Sequence, residues 1–80
     1  MSVHRDDLKG YVLEALKNLG GQSKIAGICK EIWKLHEQDL RQSGDLFFTW
    51  QYDMRWAGQH LQKERKLIKG KGDEGWRLIK

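Results

Sequence analysis

Proline is absent from this chain of 80 residues, and cysteine occurs once, at Cys29. A lone cysteine excludes an internal disulfide, and it suits a reducing compartment as a small buried hydrophobe. His4, His36, His60 and Cys29 are scattered without the close paired spacing of a zinc site. The fold must therefore rest on its core alone, at a size where metals or disulfides often assist. No stretch nears the roughly 18 to 20 apolar residues of a membrane span, and the opening Met-Ser-Val-His-Arg-Asp-Asp is polar and acidic rather than signal-like. A cytoplasmic location is expected. Gly-Ser linkers and internal repeats are also missing, so residues 1–80 are read as a single domain.

The means of enzymatic chemistry are equally sparse. Cys29 and His36 fall two turns apart on one helix face, but no orienting acid follows and both are expected to be buried. His36 is read as a core histidine bonded to backbone, and His60 as a helix-flank residue. The run Gly70-Lys71-Gly72-Asp73-Glu74-Gly75 lacks the lysine-serine/threonine ending and following helix of a phosphate-binding loop. No catalytic residue, metal or cofactor is expected.

Four tryptophans are present, at positions 33, 50, 56 and 76, and each can bury a large area, which argues against disorder. The formal charge of +4 and a pI near 9.4 favour a polyanionic partner without identifying one.

Apolar spacing organises the chain. From Arg5 to Leu19 the residues Leu8, Val12, Ala15, Leu16 and Leu19 recur on one side, with Asp6 and Asp7 in the first turn where they favour the helix dipole. Gly20-Gly21 then marks a helix end. Leu13 lies off this stripe. Ser23 is the expected N-cap of a second helix bearing Ile25, Ile28, Cys29, Ile32 and His36, with Lys24, Lys30 and Lys34 opposite. The segment from Glu37 to Thr49 is too long for a short turn and is read as an ordered elaboration anchored by Leu40, Leu46, Phe47 and Phe48. Thr49 is the expected N-cap of a third helix, with Asp45 the alternative for an earlier start.

At about 100° per residue, Trp50, Met54, Ala57 and Leu61 share the core side of this third helix. The opposite arc collects Tyr52, Arg55, Gln59, Gln62, Lys63 and Lys66, while Asp53 and Glu64 fall on a flank. Arg and Gln can pair with purine edges in the major groove of double-stranded DNA, and Tyr, Lys and Gln can hold its backbone. A solvated polar face is the bland alternative. Trp56 lies between the two sides and is expected to pack on a neighbouring element. Beyond it, Leu67-Ile68-Lys69 and Trp76-Arg77-Leu78-Ile79 flank three glycines in six residues, the pattern of an antiparallel hairpin. Leu67 and Trp76 would anchor it, and Lys69, Lys71 and Arg77 would face a groove or backbone. Asp73 and Glu74 weaken close approach to phosphate, and a hairpin that merely closes the core stays open as a reading.

The order Met54-Arg55-Trp56-Ala57, Leu61, Leu67-Ile68 and Gly75-Trp76-Arg77-Leu78, with the Gly20-Gly21 pair, resembles the N-terminal winged-helix domain of Mrr-type restriction endonucleases. The likeness runs from about Leu8 to Ile79. It implies DNA contact from Gln51, Tyr52, Arg55 and Gln59, with Met54, Trp56, Ala57, Leu61 and Trp76 as scaffold. Restriction itself is not expected, because the carboxylates form no metal-binding cluster of the kind a nuclease uses.

The expected architecture is an α+β winged helix-turn-helix of three helices and a C-terminal β-hairpin wing, with a short strand at Gln22-Ser23 pairing with the hairpin. The expected activity is non-catalytic duplex DNA binding. Arg55 and Gln59 are the base-edge candidates, Tyr52, Lys63 and Lys34 the backbone candidates, and Lys71 and Arg77 the wing candidates. A homodimer on paired half-sites is compatible with this reading. The rival is a protein-interaction winged helix using Leu13, Phe47 and Trp56 as an apolar patch.

Overall fold

A computed structural model describes residues 3–71 and 74–79. The expectations for Gly72 and Asp73 in the hairpin tip, and for the first two residues, lie outside that range. The described elements run α1 (Asp7–Asn18), β1 (Gln22–Ser23), α2 (Ile25–Arg41), α3 (Leu46–Lys63), β2 (Leu67–Lys69) and β3 (Trp76–Leu78). The architecture is α+β, three helices and a C-terminal antiparallel hairpin, as in a winged helix.

Helix α1 buries Leu8, Val12, Ala15 and Leu16 of the expected stripe, whereas Leu19 falls at the C-cap, past the helix, and is exposed. It ends at the two glycines because both adopt positive φ, 88° and 96°, where a side chain would be strained. Gly21 N–H bonds Leu16 O at 2.7 Å and Gly20 N–H bonds Lys17 O at 3.3 Å, so the last carbonyls are satisfied. The chain leaves this turn directly into β1, and Leu78 N–H reaches back to Gly21 O at 2.8 Å.

Strand β3 is central in the sheet order β1-β3-β2, antiparallel to both neighbours. Gln22 lies across from Arg77 and Ser23 from Trp76, while Leu67, Ile68 and Lys69 face Leu78, Arg77 and Trp76. Side chains alternate across the pleat, so Leu67 and Trp76 turn inward and are buried, and Gln22, Ile68 and Arg77 share the exposed outer face. The core gathers Ile28, Ile32, Leu40, Trp50, Met54, Ala57 and Leu61 from α2 and α3 with the α1 stripe and these two anchors.

Several local expectations are corrected. The segment 37–49 is mostly helical, because α2 runs on to Arg41 and α3 begins at Leu46. Helix α2 kinks at His36 (φ −131°, ψ 24°), which resets its phase and brings Leu40 fully into the core. Phe48 is no anchor: it is 85% exposed. Ser23 does not cap α2; its hydroxyl donates to Lys24 O at 3.0 Å, and Lys24 takes the cap position. Thr49 lies inside α3 and donates to Asp53 Oδ2 at 2.8 Å, with Asp45 at the cap position. Among the described residues, the His36 ring has no backbone partner. Its ring stacks on Tyr11 at 3.6 Å, with Nε2 2.6 Å from Glu14 Oε1, tying the kink to α1.

Candidate nucleic-acid interface

Helix α3 is held by its inward stripe, and one contact fixes its distance from the wing. A Cβ built on the buried Gly58 would fall 2.6 Å from Cζ3 and 3.0 Å from Cζ2 of Trp76, and nearer still to Cη2. Only a residue without a side chain lets the outer edge of the indole come this close to the helix backbone. Lys69 adds a polar tie. Its ammonium sits 5.0 Å over the Trp76 ring and 3.4 Å from Arg55 O, while its N–H bonds Gln62 Oε1 at 3.0 Å. Lys69, expected to face a groove or backbone, is turned by the pleat inward against α3.

The opposite face of α3 is open. Gln51, Tyr52, Arg55, Gln59, Gln62 and Lys63 are all exposed, Tyr52 by 78%. The earlier helix start adds Phe48 to the same stripe, one turn before Tyr52. Both flanking carboxylates have partners. Asp53 accepts from Thr49, and Glu64 lies 3.5 Å from both Lys9 and Lys66. The Lys9 ammonium, foremost, holds the Glu64 carboxyl below its ordinary value. Among the described residues, no ion pair involves Arg55, Lys63 or Lys69.

Burial, and then the nearby Arg55 charge, lower the Lys69 pKa. Burial raises the Cys29 thiol pKa, and Arg55 partly offsets it. Arg55 thus lies within electrostatic reach of Cys29 on α2 and of Lys69 on β2.

The remaining candidates are dispersed. Lys30, rather than Lys34, shares a groove with Gln51, lined further by Cys29, Trp33, Phe47 and Trp50. Lys34 is exposed beside Leu35 to Asp39, around the α2 kink. Lys71 is exposed at the tip, where its N–H meets Glu74 Oε2 at 3.3 Å. Arg77 faces outward from the middle of the sheet beside Gln22 and Ile68, on the pleat face opposite Trp76.

Leu13, Phe47 and Trp56, expected to be exposed, are each partly buried. Trp56 packs where the sequence put it, on a neighbouring element: Arg5 lies 4.1 Å and Lys9 5.6 Å over its ring, and His60 4.3 Å from it. The exposed aromatics are instead Phe48 and Tyr52. Phe48 was missed because the helical register was counted from Trp50. Gly58 carried no sequence signal, since its role is set by a ring eighteen positions later in the chain.

Among the described residues, no three His, Cys, Asp or Glu side chains converge as metal ligands, and no helix is long and apolar enough to cross a membrane. No family model, curated protein or solved structure matches the chain.

Proposed function

We propose that this domain binds duplex DNA without catalysing a reaction on it, with α3 in the major groove, as a regulator or targeting module of the Mrr-like winged-helix kind in a cytoplasmic setting. The observation that carries the reading is the outward stripe of α3, where Tyr52, Arg55, Gln59 and Lys63 are exposed and the adjacent carboxylates are held by other residues. Arg55 and Gln59 would meet base edges, and Tyr52 and Lys63 the phosphates on either side. Gln51 and Lys71 flank this contact, and Lys34 and Arg77 would take part only where the DNA bends round the domain or a second copy binds beside it.

A gel shift with random duplex tests this. Affinity should fall at least about tenfold between roughly 50 and 200 mM salt for a few phosphate contacts. A salt-insensitive shift, or no shift, counts against it. The second reading, a protein-binding winged helix, draws on Phe48 and Tyr52 beside the groove of Cys29, Trp33, Phe47 and Trp50. Such an apolar interface would hardly respond to salt.

A further inference from the structure

Phe48 is the one large apolar side chain on the stripe that also bears Tyr52, Arg55 and Gln59, and folding leaves 85% of it in water. Successive steps of four, three and four residues keep these side chains within roughly 60° of one another on the helix. Phe48 lies in the first turn of α3, where its N–H bonds Asp45 O at 3.0 Å. In a helix-turn-helix the N-terminal residues of the recognition helix are those that meet base edges.

The ring is also held in place. Phe47 stacks on it at 5.1 Å and 13°, and Phe47 in turn lies 6.3 Å from Trp33, which stacks on the buried Trp50 at 6.1 Å. An exposed phenyl buttressed from the core is preorganised for an apolar contact outside the molecule. In the major groove, thymine alone presents such a group, its C5-methyl.

Resting on the duplex-DNA reading above, we propose that Phe48 is a specificity-determining residue that selects thymine at one position of the site by covering its methyl group. Arg55 and Gln59, one and two turns further on from Tyr52, then read neighbouring pairs by hydrogen bonds.

The test starts from a duplex selected by the native protein from a random pool and resynthesised with uracil replacing each thymine in turn, which removes the methyl and keeps the base pair. At one position, native protein should lose about fourfold in affinity, the factor for one buried methyl-sized group. Phe48→Ala should bind the thymine and uracil forms alike there, whereas Arg55→Ala should keep the discrimination. Because Phe48 is exposed, its variant should retain the native far-ultraviolet circular dichroism. Salt-sensitive DNA binding with no uracil effect, or discrimination that survives Phe48→Ala, overturns the Phe48 assignment alone and leaves that ring to a protein partner. Absence of binding to any duplex overturns the DNA reading and this inference with it.

Discussion

A methyl group added at Gly58 sets two effects of opposite sign against each other. In an open helix interior, Gly→Ala stabilises by about 0.8 to 1 kcal/mol, because alanine surrenders less backbone freedom. Here the new carbon would press on Trp76, 2.6 Å from Cζ3, far inside the roughly 3.5 to 4.0 Å of ordinary carbon contact. Trp76 has little room to yield. It is 3% exposed and stands on the central strand, paired on both sides. Overpacking of this kind costs about 1 to 3 kcal/mol, so the steric effect should prevail and Gly58→Ala should lose about 1 kcal/mol net. That corresponds to a Tm lower by about 4 to 8 °C for a domain of this size. In a Trp76→Phe background the outer indole atoms are gone, and the same change should become stabilising by up to about 1 kcal/mol. Urea titrations followed by far-ultraviolet circular dichroism give the four stabilities of the cycle. Stabilisation by Gly58→Ala in the native background, or the same sign in both, would refute the reasoning.

Further outcomes follow from other contacts. Arg55→Ala should weaken binding to a selected duplex by about 1 to 3 kcal/mol, whereas Lys63→Ala should weaken all sequences similarly and reduce the salt slope by about one unit; equal loss on every sequence from both would undo their separate roles. Arg65 holds a left-handed conformation at φ 60° after α3, so Arg65→Gly should raise stability by about 1 kcal/mol in a denaturant titration, and a loss would show that the arginine side chain matters more than the strain. Because the Glu64 pKa is lowered in the fold, its contribution is present above the ordinary carboxylate range and is lost as pH falls through its folded value. Lys9→Met should move the Glu64 titration upward by NMR, since Lys9 is the main cause of the depression; an unchanged titration would count against that pairing.

The elements with uninterrupted periodicity were legible from the residues alone. The α1 stripe from Leu8 to Leu16, the glycine stop, the two-residue β1 strand and the Leu67/Trp76 anchors all follow local rules, and each stands as expected. The junction of α2 and α3 was not legible, because the kink at His36 shifts the buried face to Leu40 and makes a continuous helix look aperiodic. That misreading moved the start of α3 and hid Phe48 among supposed anchors. On the outer face of α3, the exposure of Arg55, Gln59 and Lys63 followed from the wheel. The inward turn of Lys69 required the pleat, and the choice of Lys30 over Lys34 beside Gln51 required the packing of α2 on α3.

Strand β3 has a temporal consequence. It is the middle strand of the sheet yet the last of the three in the chain, so β1 and β2 have no partner until residues 76–78 have left the ribosome. The indole that seals α3 arrives in the same step. Three helices can form and collapse earlier, but the finished core waits for residues 76–78, and nascent chains stopped short of Trp76 should remain open to proteases.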